Sequence, residues 1–359
     1  MMKQHVHRSA AAVASAMLAG AALTACAANE TGSSDGNPDN SNNSADPSNV
    51  LATTSVWADV ASAVTGNEVE AVIEGTDLDP HHYEPSAKDL ARVREAGTLV
   101  ANGGPYDASL YTVAEQDRII SAIPLVSAEE AEAHTHEHKH EHGDHGHEHG
   151  EHDHVEHEDH SHEEDEVHGH NHEDHGHGHT ADNIDDLEHA WFSTAKVKEV
   201  AAAVKERVGG ATAEVDKRMD ANDEKLAALP HTHVALTEPI AAPLVWGTEL
   251  HDITPEGYLK ATLNESEPSV QDVAAFLDEI ASGHVDVLIV NPQSTNSATQ
   301  QLANAARENN VPIVEMRETP PEGMNFFDYF EQVVGELADT VSTLPKDGKH
   351  EHGHSEHAA

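Results

Sequence analysis

The sequence predicts an α/β protein with two lobes, each containing a mainly parallel sheet flanked by helices, and a helical linker between the lobes. Short apolar runs alternate with amphipathic helical patterns in two segments, roughly residues 50–133 and 180–345. The runs read as strands and are mainly apolar, as expected of parallel strands covered on both faces. Each segment is long enough to form a lobe of its own.

The N-terminus predicts a lipoprotein signal peptide over residues 1–25. Lys3 and Arg8 give it a basic start, an apolar run follows from Ala10, and Leu-Thr-Ala-Cys ending at Cys26 resembles a bacterial lipobox. Cys26 is the only cysteine, so it is the candidate lipidation residue. Two acyl chains anchor a protein stably. We therefore expect the mature chain on the outer face of the cytoplasmic membrane.

Three further segments are too polar to fold. Residues 26–49 predict a flexible tether, because from Asn29 onward they are almost entirely Asn, Ser, Asp, Gly, Pro and Thr. Residues 134–179 predict a disordered loop with 19 histidines and 15 carboxylates among 46 residues. Residues 346–359 form a short histidine-rich tail. The formal net charge of −47 argues against nucleic acid as a partner and suits a protein that collects cations.

The N-terminal lobe is predicted over residues 50–190, with the histidine-rich loop inside it. Its strands are LATTSV, VEAVIE, TLVANGG and IISAIPLV, and its helices are WADVASAVTG and SAKDLARVREAG. A linking helix region follows over 191–229, helical from Ser193 to Leu229 except at Gly209-Gly210.

The C-terminal lobe is predicted over residues 230–345. Its strands are HVALTE, VDVLIVNP and VPIVEMRE, and its helices are PSVQDVAAFLDEIASG, TNSATQQLANAARENN and NFFDYFEQVVGELADTV. Ligands of such folds bind at the carboxyl ends of the strands, so the residues just after strands are the candidates for a site.

Four residues meet that criterion. His81 follows a strand in a turn stiffened by Pro80 and Pro85, and His189 follows the histidine-rich loop. Glu238 and Glu318 end two strands of the C-terminal lobe. Singly, each has a plainer interpretation, as a surface histidine or a carboxylate that caps a helix. Together they would make a reasonable shell for a divalent first-row metal. Five other histidines are weaker candidates: His82, His231 and His233 near strands, and His251 and His284 in expected loops.

Four stretches carry a family resemblance: DPHHYEPSAKDL, EHAWFS, LTEPI and VEMRETPPEGMNFFDYF. They resemble the ligand signatures of the zinc/manganese solute-binding proteins of ABC transporters, the TroA-like and ZnuA-like family 9. The resemblance implies that His81, His189, Glu238 and Glu318 are the ligands of a metal buried between two lobes joined by one long helix. It also implies an ABC permease and its ATPase as partners of a monomeric receptor. The chain departs from the family at Leu187-Glu188, where Asp-Pro is usual, and at Gly209-Gly210.

These observations predict a high-affinity extracytoplasmic zinc receptor rather than an enzyme. Two carboxylates also suit manganese or iron, but a collector of 19 histidines would mainly enrich the wrong metal for a manganese receptor. A metal buffer or adhesin that relies on the histidine-rich segments is a competing hypothesis of another class.

The histidine-rich loop is expected to capture metal for the main site, since mobile ligands must be ordered to bind and so hold each ion weakly. Its HExxH matches at His136 and, in the tail, at His350 resemble a zinc-protease motif. They lack helical context, and such matches arise by chance in a stretch so rich in histidine. The auxiliary ligands predicted here are His134, His136, His138, His140, His142, His145, His147, His149, His152 and His154.

Overall fold

A computed structural model describes residues 46–75, 83–131 and 187–345. The predicted fold class is confirmed, because these residues form two four-stranded parallel sheets flanked by helices. The strands pair in the orders β2-β1-β3-β4 and β6-β5-β7-β8, so the two sheets share one topology.

The first sheet consists of β1 (Val50–Thr54), β2 (Glu70–Ile73), β3 (Thr98–Ala101) and β4 (Ile119–Ser121). Its helices are α1 (Ser55–Thr65), α2 (Ala87–Glu95) and the single turn α3 (Ala108–Tyr111). A capping box formed by Ser86 and Asp89 starts α2, which fixes where the chain turns back across the sheet.

The second sheet consists of β5 (Thr232–Leu236), β6 (Leu250–Asp252), β7 (Val287–Val290) and β8 (Ile313–Glu315). Its helices are α6 (Ala242–Val245), α7 (Glu256–Leu263), α8 (Val270–Ser282), α9 (Ser297–Glu308) and α10 (Phe326–Thr343), numbered after the two linker helices. Strand β6 was not predicted, and the expectation that His251 lies in a loop is wrong. The strand has only three residues and lacks a run of apolar side chains, which is why the sequence pattern does not reveal it.

Two helices connect the sheets, α4 (Thr194–Val208) and α5 (Ala213–Ala227). Lys198 Nζ of α4 lies 2.9 Å from Asp220 Oδ1 and 2.9 Å from Asp223 Oδ2 of α5, so the helices pack antiparallel as a hairpin. The single long helix implied by the family resemblance is therefore wrong for this chain. Gly210 has a φ of 107°, and a Cβ there would lie 2.1 Å from the carbonyl oxygen of Val64. The turn thus requires glycine and rests against α1.

One large hydrophobic cluster extends through both lobes. It includes Trp57 and Val60 of α1, Leu236 of β5, and Phe326 and Phe330 of α10. The last helix therefore returns to pack on the first, and its Phe326 N–H donates to Asp59 Oδ2 at 2.7 Å. Among the helices of the described residues, none combines the length and apolar character needed to cross a bilayer.

Candidate metal centre

Two glutamates lie just beyond the carboxyl ends of strands in the second sheet. Glu238 follows β5 in an extended conformation with φ −156°, at the start of a short 3-10 turn (Pro239–Ala241), and its side chain makes no capping hydrogen bond. Its Oε1 instead accepts a 2.6 Å hydrogen bond from Asn291 Nδ2, and its Oε2 accepts one from Ser294 Oγ. The Glu238 side chain therefore does not act as a helix cap.

Asn291 holds the two carboxylates side by side. It follows β7, and its Nδ2 also donates to Glu318 Oε1 at 3.1 Å. The Oδ1 atom of Asn291 accepts from the backbone N–H of Gln293 at 2.9 Å, and this bond fixes the orientation of the Asn291 side chain. A single buried amide nitrogen thus donates to one oxygen of each glutamate and holds the two carboxylates near each other.

Gln293 positions the backbone that carries Glu318. Its Oε1 accepts from the Glu318 N–H at 2.8 Å, and its Nε2 donates to Thr319 Oγ1 at 2.9 Å. Glu318 is only 2% exposed, so its backbone and both carboxylate oxygens are held away from solvent. Asn291, Gln293 and Ser294 were not predicted as site residues, although they lie at or just after the end of the predicted strand VDVLIVNP, in the stretch NPQST.

His189 approaches the glutamates from the other side of the crevice. It precedes a 3-10 turn (Ala190–Phe192) and is 4% exposed, with its ring 5.3 Å from that of Trp191 in a T-shaped contact. Asn102 Nδ2 donates to the carbonyl oxygen of Glu188 at 2.6 Å and so ties this segment to the end of β3. His189 Nε2 lies 3.9 Å from Glu318 Oε1.

Tyr106 links the first sheet to the second within the site. Its hydroxyl donates to Glu318 Oε2 at 3.2 Å, and its ring centroid lies 6.2 Å from that of His189. The loop that carries Tyr106 is anchored by Asp107, which accepts from Thr53 Oγ1 at 2.6 Å and from the Asn102 N–H at 2.7 Å. Burial raises the pKa of Asp107 to about 6, since its hydrogen bonds offset only part of the lost hydration.

The group formed by His189, Glu238 and Glu318 can hold a divalent metal ion. Each offers one ligand atom, and these atoms all lie within 4.8 Å of one another. Burial raises the pKa of Glu238, the neighbouring His189 lowers it in part, and the negative charge of Glu318 raises it again. Two carboxylates close together in a poorly hydrated crevice strongly favour a cation between them.

Three of the four predicted ligands thus come together. His81 and the weaker candidate His82 lie outside the described residues, as do Cys26, the ten auxiliary histidines and both HExxH matches. The remaining weaker candidates lie away from the crevice, at or near the amino-terminal ends of the strands in the second sheet: His231, His233, His251 and His284.

A family model described as "ZnuA: Zinc-uptake complex component A periplasmic" matches residues 50–340. Comparison with the curated proteins finds no match. Among solved structures, the chain is similar to the periplasmic zinc binding protein TroA from Treponema pallidum, with 15% identity over 81% of this chain and 96% of that chain and a TM-score of 0.51.

Two further structures have the same fold. One is a mutant of the periplasmic metal binding protein from candidatus liberibacter asiaticus in its Mn-bound form, with 13% identity, 81% of this chain and 98% of that chain covered, and a TM-score of 0.51. The other is a mutant of the laminin-binding adhesin (Lmb) from Streptococcus agalactiae, with 14% identity, 82% and 99% coverage, and a TM-score of 0.50.

Proposed function

Because the chain belongs to the family of periplasmic zinc-uptake components that this model describes, we propose that it is a high-affinity zinc receptor that delivers the ion to an ABC importer. The family resemblance predicted from the four sequence motifs is thereby confirmed. The observation that carries the proposal is the convergence of His189, Glu238 and Glu318 on one buried point between the two lobes.

The proposed ligands are those three residues and His81. The three described ligand atoms lie up to 4.8 Å apart. Around a tetrahedral zinc ion with bonds of about 2.0–2.2 Å, ligand atoms are ~3.4 Å apart. Binding therefore draws the donors together by roughly 1 Å. His189 reaches the ion from the side of the first lobe and the glutamates from the second, so the ion links the lobes.

Binding and release of the ion constitute the proposed mechanism, without catalysis. Four protein ligands complete a tetrahedral shell, whereas catalytic zinc sites keep one position for water. Both histidines must be neutral to bind, so loading displaces any proton that they carry. We further propose that Cys26 is lipidated and that residues 134–179 collect metal near the crevice.

Zinc is the proposed substrate, and manganese is the alternative that the two carboxylates favour. Titration of each metal against a chelator of known affinity would distinguish them, with the full chain purified without added metal. Zinc should bind at least tenfold more tightly than manganese at the tightest site. Tighter binding of manganese would overturn the choice of metal without affecting the ligand assignment.

The ligand assignment has its own test. Replacing His189 by alanine, or His81 by alanine, should remove the one tightest zinc site in the same titration. His284→Ala is the matched control, because that histidine is exposed and lies away from the crevice. If a zinc site of the parent's highest affinity persists when His81 and His189 are both replaced, the assignment is wrong.

A further inference from the structure

Three histidines cluster at the amino-terminal edge of the second sheet, away from the carboxylate crevice. His231 directly precedes β5 and His233 lies within the strand two residues further on, and their ring centroids are 5.1 Å apart. His251 of β6 is the register partner of His233 and therefore points to the same face as His233. The backbone pairing of the sheet thus gathers three imidazoles.

The ring geometry matches that of metal ligands. His231 Nε2 and His233 Nε2 are 3.3 Å apart. Two imidazole nitrogens that bind one tetrahedral ion at about 2.0–2.1 Å are also ~3.4 Å apart. The ring of His251 lies 6.0 Å from that of His231 and 5.7 Å from that of His233, centroid to centroid. His251 is exposed, so a change of rotamer can bring its nitrogen to the same ion.

The surroundings of His233 set its tautomer. Its Nδ1 lies 3.3 Å from the carbonyl oxygen of His284, and only a protonated ring nitrogen can donate to that oxygen. Nε2 therefore presents its lone pair towards His231. Metal-binding histidines commonly donate their other N–H to a backbone carbonyl in this way. The His233 N–H also donates to Asp286 Oδ2 at 2.9 Å, which fixes the backbone of this residue.

From this geometry we propose that His231, His233 and His251 form a second metal site, specific for late first-row divalent cations such as Zn²⁺, Cu²⁺ or Ni²⁺. Three imidazoles without a carboxylate disfavour Mn²⁺, which prefers oxygen ligands. The ion displaces the proton that His231 Nε2 shares with His233, and His231 takes up the tautomer protonated at Nδ1, so that both Nε2 lone pairs face the ion. His231 and His251 are exposed and His233 is 6% exposed, so the site opens to solvent and exchanges its ion.

This site is separate from the carboxylate crevice. His233 and Glu238 are at opposite ends of β5, about five residues or ~17 Å apart along the strand direction. The two sites also differ in their ligand atoms, and the histidine site does not depend on metal binding in the carboxylate crevice. A variant that loses the crevice ligands Glu238 and Glu318 should therefore keep the histidine site.

The test is a zinc titration of the full ¹⁵N-labelled chain, followed by NMR at the backbone amides of Thr232, Val234 and Asp252. A chelator buffer fixes the free zinc concentration, so uptake by the many other histidines does not change it. The amides should shift in a saturable way once zinc has filled the tightest site. With His231→Asn and His251→Asn together, half-saturation should need at least tenfold more free zinc.

Two control variants test whether the amide shifts come from the histidine site. His284→Asn should titrate like the parent chain, because that imidazole bonds to Glu279 Oε1 at 2.9 Å and only its backbone carbonyl faces His233. Glu238→Gln with Glu318→Gln should also leave the shifts unchanged. The proposal is overturned if the parent amides do not respond, if the double histidine variant titrates like the parent, or if His284→Asn loses the response equally. In the variant with Glu238→Gln and Glu318→Gln, which lacks the crevice carboxylates, broadening of these amides by Mn²⁺ at a free concentration equal to that of half-saturating zinc would also overturn it.

Discussion

Replacing Glu238 by glutamine should stabilise the metal-free protein while it weakens zinc binding. Glutamine keeps the shape of the side chain and can still accept from Asn291 and contact Ser294. It removes the negative charge of a partly buried carboxylate whose ligand oxygen is no more than 4.8 Å from that of the buried Glu318. At an effective dielectric constant of about 20, that repulsion is at least about 3.5 kcal/mol. Hydrogen bonding and partial protonation relieve some of it, so we expect a gain of about 1–3 kcal/mol, or ~2–6 °C in Tm.

The metal-bound state should respond in the opposite direction. The carboxylate of Glu238 would face a divalent ion in a buried site, and removing one partner of a buried charge pair typically costs about 3–5 kcal/mol. Zinc affinity should therefore fall by about two to four powers of ten. A variant with a purely structural defect would lose stability with and without metal, so opposite signs identify a ligand.

Chemical unfolding in the presence of a strong chelator measures the first effect, and competition titration measures the second. Glu322→Gln is the matched control, since Glu322 is exposed on the same loop as Glu318 and should change neither quantity. Glu238 is not a zinc ligand of this kind if Glu238→Gln destabilises the metal-free protein, or if the variant binds zinc within tenfold of the parent.

Three further results are expected. Because Asp107 has a raised pKa of about 6, the folded protein takes up a proton before the unfolded chain does. The metal-free protein should therefore become more stable as pH falls from about 7 towards 4.5, and urea unfolding of Asp107→Asn should show a smaller pH dependence. Asn291→Ala should weaken zinc binding by about 10–100-fold in competition titration, because both glutamates lose their common donor. Deleting residues 134–179 should leave the tightest zinc site within about threefold of its affinity by the same titration, since loose histidines hold metal weakly; its loss would favour a metal buffer.

The fold could be predicted from sequence because the apolar runs that form buried parallel strands are hard to mistake. VEAVIE and VDVLIV have no other stable placement than between two layers of helices. Two features were not predicted from the sequence. Strand β6 is too short to produce a pattern. The break between α4 and α5 is visible in the sequence at Gly209-Gly210, but the packing of the two helices as a hairpin depends on a contact between Gly210 and Val64 that no local signal encodes.

The site could be predicted only in part, for a related reason. His189, Glu238 and Glu318 lie in recognisable motifs or at strand ends. Residues at strand ends meet at the carboxyl edges of the sheets, which is where these three come together. Asn291 and Tyr106 have no motif, and their importance lies in hydrogen bonds across the fold, from Asn291 to both glutamates and from Tyr106 to Glu318. Residues that orient ligands are chosen by geometry, which becomes visible only when the strands are in register.

The packing between the lobes limits how far zinc can move them. Trp57 of α1 and Phe326 and Phe330 of α10 are fully buried in a cluster that also contains Leu236 of the second sheet. Exposing large apolar side chains costs roughly 1.5–3 kcal/mol each. A wide opening would expose several of them and would use much of the free energy that zinc binding provides. The contraction of roughly 1 Å needed to form a tetrahedral shell fits within loop and side-chain movement around His189 and Glu318. We therefore expect the importer to recognise a local change at the mouth of the crevice rather than a large rotation of one lobe against the other.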